Sequence, residues 1–224
     1  MKRITILFLL ISTFVFSQEP ITKELGPFKE LKVFSGLVVK IEKAATSSIE
    51  ISGKKANDVM VKNINGRLKI SMRFPETFNA YEVDIKLYYT DNLFLIDANE
   101  GSNVHSKNKI TQQSIEVKVQ EGAIINLPID VKYLVGKAVT GGQLIIDGKA
   151  ESQDIELLAG GIYDGYDLIS NQTYITSSSG AVGNVFVKEM LDAKVSLGGI
   201  IYYKGNPTDI TTKKIIGGTI KSKD

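Results

Sequence analysis

The sequence predicts an all-β chain wound into a single-domain parallel β-helix, and three observations carry that reading. First, a glycine returns at a nearly fixed interval through residues 99–221, in the strings EGSNV, EGAII, GGQLI, GGIYD, SGAVG, GGIIY and GGTIK. Aligning the shared glycine gives Gly101, Gly122, Gly142, Gly161, Gly180, Gly199 and Gly218, with gaps of 21, 20, 19, 19, 19 and 19 residues. A period of this kind marks a repeat array. Second, the segments ahead of the glycines alternate apolar and polar, as in Ile115-Val117-Val119, Ile155-Leu157 and Ala193-Val195-Leu197. Period two is the strand signal, not the helical one. Third, an extended 19-residue repeat covers roughly 63 Å at ~3.3 Å per residue, too long for one strand. A coil of short strands and corners fits that length, and stacked coils give each backbone amide a partner above or below. An antiparallel stack of hairpins would not need equal periods. Parallel crossovers are nearly always right-handed, so a right-handed helix is expected.

The repeating glycine has two readings. A corner residue with positive φ would require glycine in every coil; close packing would require only a small side chain. The preceding column, Glu100, Glu121, Gly141, Gly160, Ser179, Gly198 and Gly217, tolerates Glu and Ser, so the aligned glycine is expected to be the strict structural corner. A phosphate cradle would need a glycine-rich turn opening a helix, and no helical pattern occurs. The second column after the glycine reads Asn103, Ile124, Leu144, Tyr163, Val182, Ile201 and Ile220, and is expected to face inward. Columns one and three would then face outward and hold Ile125, Ile145, Ile162, Ile200 and Tyr202, interrupted by Gln143, Asp164, Ala181 and Gly183. Equivalent columns in stacked coils lie ~4.8 Å apart, so these residues form a candidate interface stripe. Three covers are open for it: the segment 28–98 folding back, a second copy of the chain, or an extracellular glycan or protein ligand.

The elements follow in chain order. Residues 1–17 read as a signal peptide: Lys2 and Arg3 are basic, Ile4 to Phe16 is apolar, and Val15-Phe16-Ser17 suits a signal peptidase, with cleavage before Gln18. The apolar run is shorter than the ~20 residues of a membrane-spanning helix. No later run approaches that length, so no transmembrane segment is expected in the mature chain, which should be soluble after export to the periplasm, the outer surface or the medium. Residues 18–27 are a leader ending at Gly26-Pro27. From Phe28 to residue 98 short alternating runs recur, among them Leu31-Val33, Leu37-Val39-Ile41, Leu68-Ile70-Met72 and Val83-Ile85-Leu87, without the glycine period. Asn65-Gly66 between two of them is a strong hairpin signal. This portion is expected to be an irregular N-terminal part, continuous with the regular repeats of 99–224 and capping them. Residues 74–80 break the alternation as a loop. No Pro/Gly/Ser linker divides the chain, so 28–224 is expected to be one domain.

Composition excludes several function classes. The formal charge is +2, and loss of Lys2 and Arg3 brings basic and acidic residues to 25 each. A neutral chain with Arg67 and Arg73 as its remaining arginines has no electrostatic footprint for nucleic acid. Without cysteine there is neither a disulfide nor a lipid anchor. His105 is the only histidine, so a His-based zinc site cannot form. It sits in the polar string Ser102 to Lys109, typical of a loop, and no G-x-S-x-G elbow accompanies it. Glycoside hydrolysis needs two carboxyl groups some 5–10 Å apart. Asp164 and Asp167, with Asp147 one coil back, are the densest acidic group, but their columns differ and they are not expected to stack into one cluster. No cofactor, metal or catalytic residue is expected.

With those residues in view, the chain resembles the head GIN domain family of auto-transporter adhesins common in Bacteroidetes. Phe28 and Val33-Phe34-Ser35-Gly36-Leu37 near the start carry the resemblance. So do Asn65-Gly66-Arg67-Leu68-Lys69-Ile70, the glycine ladder and the closing Tyr203-Lys204-Gly205-Asn206-Pro207. The Ser-Gly-Ser-Gly corners more usual in the family stand here mostly as Gly-Gly. The resemblance implies an extracytoplasmic β-solenoid with an adhesive role and no established catalysis. The expected function is therefore a non-enzymatic secreted or cell-surface binding or scaffold protein, with homo-oligomerisation open. The alternatives are a polysaccharide-active β-helix enzyme and a non-catalytic carbohydrate-binding module.

Overall fold

The structure, a computed structural model, describes residues 19–76 and 80–224. The expected signal peptide, and residues 77–79 of the expected loop, lie outside them. Among the described residues there is no α-helix, and seventeen strands join in one sheet. They are β1 (Ile21–Glu24), β2 (Glu30–Val33), β3 (Val38–Lys43), β4 (Ser48–Ser52), β5 (Val59–Ile64), β6 (Arg67–Met72), β7 (Asp84–Tyr89), β8 (Leu95–Ala98) and β9 (Asn103–His105). There follow β10 (Ile110–Val119), β11 (Ile124–Ala138), β12 (Gln143–Leu157), β13 (Ile162–Ser178), β14 (Val182–Ser196), β15 (Ile200–Lys204), β16 (Asp209–Lys214) and β17 (Thr219–Ser222).

From β8 onward every neighbour is parallel, and the chain winds a β-solenoid of about seven turns. Along the long strands, inward and outward side chains alternate until two successive residues face out, as at Lys132–Tyr133 and Lys188–Glu189. Those breaks are bends, and they fold each coil around a core of stacked aliphatic side chains that runs from Phe28 to Ile201.

The corner that carries the repeating glycine is a two-residue turn with both residues left-handed. Glu121–Gly122 has φ of 56 and 71°, Thr140–Gly141 50 and 71°, and Ala159–Gly160 47 and 73°. Ala123 N–H donates to Gln120 O and Gly142 N–H to Val139 O, which closes the type I′ turn. The second turn position is glycine at Gly101, Gly122, Gly141, Gly160, Gly180 and Gly198; in the last corner Gly217 stands in that column, but the left-handed pair there is Gly217–Gly218.

This corrects the sequence alignment. Gly101, Gly122 and Gly180 are turn glycines with open space where a Cβ would be, but Gly142, Gly161 and Gly199 lie one residue later. At that later position Ser102, Ala123 and Ala181 serve other coils, and the constraint is packing: a Cβ on Gly199 would lie 2.2 Å from Ser177 O. Gly218 shares the later column yet combines a φ of +109° with a close approach to Gly199 O. The register Ile124↔Gln143↔Ile162↔Val182↔Ile200↔Thr219 gives coils of 19, 19, 20, 18 and 19 residues. Each Gly-Gly pair offered two alignments, and the even choice hid the longer and the shorter coil.

The N-terminal part keeps the same corner but not the same order. Ser35–Gly36 has φ of 64 and 69°, and Gly36 N–H donates 2.8 Å to Glu100 O, far along the chain. β2 lies between β6 and β8, and β3 between β7 and β9. The coil 30–43 is therefore inserted between 67–89 and 95–105, which is why no short period is visible there. β4 runs antiparallel to β7 and β1 antiparallel to β4, while β5 and β6 form an antiparallel hairpin about Asn65–Gly66. The described residues of the segment 28–98 thus stack onto one end of the solenoid and do not fold back over its sides.

Candidate binding face

The side of the solenoid that follows the glycine corner carries two outward columns, in which aliphatic and polar residues mix. Its first outward column reads Val38, Asn103, Ile124, Gln143, Ile162, Val182, Ile200 and Thr219. The next reads Lys40, His105, Asn126, Ile145, Asp164, Asn184, Tyr202 and Lys221. Of the expected stripe, Ile162 and Ile200 stand in the first column and Ile145 and Tyr202 in the second. Ile125 does not belong to it: it points into the core and is fully buried. The one-residue ambiguity at the Gly-Gly corners is the cause, because a shift of one reverses the face of every side chain. Ile124 and Val182, assigned inward from the sequence, take its place.

Val38 and Ile162 are exposed, while Ile124, Ile145, Val182, Ile200 and Tyr202 are half-buried, since stacked neighbours shield one another. Toward the C-terminal end the face becomes aromatic and basic. Lys223 Nζ lies 4.3 Å above the Tyr202 ring, and Lys204 Nζ 4.4 Å above that of Tyr166. Burial raises the Tyr166 hydroxyl above its usual pKa, with the charge of Asp164 and then Tyr202 adding to it.

Asp147, Asp164 and Asp167 lie along the flank of this face. With Asn126, Ile145 and Ile146 they line a hollow of about 450 Å³. The register between β12 and β13 shifts between Ile145 and Gly148, beside this hollow. Among the described residues no three acidic or imidazole groups are close enough to hold a metal ion. His105 is on a strand rather than in a loop: it ends β9, stacked between Lys40 and Asn126. Burial first, then Lys40 and Lys107, lowers its pKa. A second groove, of about 570 Å³, crosses the neighbouring side between Thr111, Asp130, Lys132, Lys149, Glu151 and Lys188. Nothing in the sequence marked it, because its walls come from five successive coils, β10 to β14.

Inside the coil, Tyr163 is wholly buried and its hydroxyl donates 2.7 Å to Gln153 Oε1. Gln153 Nε2 in turn donates to Ser170 Oγ and Thr173 Oγ1 at 2.9 and 3.0 Å. Gly165 leaves room for the ring, which a Cβ there would meet at 2.6 Å. Burial pushes the tyrosine pKa upward, so it stays neutral and structural.

A parallel β-solenoid with one capped end and flat, ladder-like faces defines a repeat scaffold for contact over an extended surface. The chain belongs to the family described as putative auto-transporter adhesin, head GIN domain, whose profile matches residues 27–207. Its fold is that of a putative adhesin from Bacteroides fragilis NCTC 9343, at 20% identity, 92% coverage of this chain, 98% of that one and a TM-score of 0.79. A putative adhesin from Parabacteroides distasonis ATCC 8503 is similar at 17% identity, with 91% and 95% coverage and a TM-score of 0.74. A putative lipid binding protein from the same strain follows at 16% identity, with 92% and 98% coverage and a TM-score of 0.66. No curated protein matches the chain.

Proposed function

We propose that residues 28–224 form one exported, non-enzymatic domain with an adhesin-like role. It presents the ladder Ile124, Ile162, Val182, Ile200, with Ile145 and Tyr202 beside it, to a glycan or protein outside the cell. The observation that carries this reading is the ladder itself: Ile162, Val182 and Ile200 stacked ~4.8 Å apart on a parallel sheet, with Ile124 beyond Gln143 in the same column, Ile162 37% exposed and no described segment folded over them. An apolar patch of this kind, Ile162 to Ile200 with polar neighbours around it, usually marks a contact surface. The family's description as an adhesin supports the same role, and the basic start and apolar run of residues 2–16 support export.

The test is binding of the purified protein to arrayed glycans and immobilised extracellular proteins. The double variant Ile162→Lys/Ile200→Lys should lose binding while keeping its β-rich circular dichroism. Undiminished binding would remove the ladder from the reading. The lipid-binding name of one structural neighbour makes liposomes a necessary arm of the panel: capture by lipid alone would replace the adhesive reading. Export is tested by the intact mass of secreted protein, expected to begin at Gln18. A polysaccharide-active enzyme is the second reading, favoured by the three carboxylates that line one hollow. Turnover of a polysaccharide that disappears in Asp164→Asn or Asp167→Asn would establish it.

A further inference from the structure

The two ends of the solenoid are not equivalent. At the N-terminal end antiparallel strands close the stack, whereas at the other end the last strands carry no outer neighbour among the described residues. β16 pairs with β14 alone and β17 with β15 alone. All six residues of β16 are exposed, including the three that register against buried Leu191, Ala193 and Val195. Ile210, which should close the core, is 46% exposed, and Ile215 and Ile216 in the last corner are 51% and 64% exposed. An uncapped core end beside an unpaired strand edge is a template for another strand.

The sequence of β16 says which strand. We propose that two copies of this chain associate end to end through antiparallel pairing of β16 with itself, about a two-fold axis at Thr211. The two-fold keeps the outward side outward in both copies, and directly opposed residues of a sheet share a side. Residues that face each other must therefore have the same parity. The register centred on Thr211 meets this rule and sets Asp209 against Lys213 of the second copy, twice over by symmetry. It also sets Ile210 against Thr212 on the core side, so the apolar end of each stack is covered by the other. The register centred one residue later sets Lys213 against Thr211 and loses both ion pairs. A two-fold contact closes after one partner and does not grow into a filament.

Thr211 on the axis provides a direct test, because the chain has no cysteine of its own. Opposed Cα atoms in an antiparallel pair lie about 4.5–5.5 Å apart, within disulfide reach. Thr211→Cys should therefore oxidise to a covalent dimer, while Lys213→Cys, displaced from its own copy by four residues, should not. Sedimentation should show a dimer that weakens with salt. Asp209→Lys, which sets like charges opposite each other, should raise its dissociation constant roughly tenfold, and Asp209→Lys/Lys213→Asp should restore it. These side chains are exposed, and unchanged thermal melts check that folding is retained. A monomer at all concentrations overturns the proposal. So does a dimer indifferent to the charge reversal, or a cross-link from Lys213→Cys equal to that from Thr211→Cys. The contact does not involve the Ile162 ladder, so Ile162→Lys should leave it intact.

Discussion

Gly161→Ala isolates the packing constraint of the solenoid from the backbone constraint of its corner. Gly161 follows the turn Ala159–Gly160, and its N–H closes that turn on Leu158 O at 3.0 Å. A Cβ there would stand 2.1 Å from Ala138 O and 2.5 Å from Ala138 C, in the coil below. Ala138 O is already engaged, accepting from Leu158 N–H at 3.0 Å. The methyl group can be admitted only by moving the corner about 1 Å away and stretching that ladder bond. Overpacking costs ~1–3 kcal/mol and a weakened buried backbone bond ~1 kcal/mol. Ala123 and Ala181 occupy the same column in other coils, so a corner can relax around a methyl group, which points to the lower part of the range, about 2 kcal/mol. For a chain of this size that is a thermal shift of roughly 4–8 °C. Gly160→Ala is the matched control: φ is +73° and no atom lies within 4 Å of its Cβ position. It should cost only the left-handed penalty, ~1 kcal/mol, and Gly160→Asn less still. Thermal unfolding followed by circular dichroism reads all three. Equal shifts at both glycines, or a larger one at Gly160, would refute the division of labour between them.

Two further outcomes follow from buried and half-buried polar groups. Tyr163→Phe removes the donor to Gln153 Oε1 in a fully buried network, and the orphaned carbonyl should cost ~1–3 kcal/mol, read by urea unfolding. His105 has its pKa lowered by burial, Lys40 and Lys107, so the unfolded chain binds the extra proton first. The stability it contributes is full above the ordinary value near 6.5 and is lost as pH falls through the lower folded value. His105→Gln should therefore flatten the fall in melting temperature between about pH 7 and 5, and an unchanged slope would exclude His105 as its source.

Alternation, the glycine ladder and the Asn65-Gly66 turn determined much of this protein by themselves, because each is a local demand. A strand side chain must face in or out, and a left-handed turn residue must avoid a Cβ clash. These demands were enough for an all-β solenoid and for a hairpin at Asn65-Gly66. They were not enough to separate the two residues of a Gly-Gly pair, since either can occupy the turn. The register between coils, set by backbone pairing across 18 to 20 residues, decided that Ile125 is core and that Ile124 and Val182 are surface. Tertiary structure also decided the order of the N-terminal coils, where β2 inserts between β6 and β8. No interval along the chain encodes that insertion, because the strands that meet are chosen by stacking and not by proximity in sequence. Asp147, Asp164 and Asp167 line one hollow beside a bulge between β12 and β13 that shifts one coil against the next, and column arithmetic assumes that no such shift occurs.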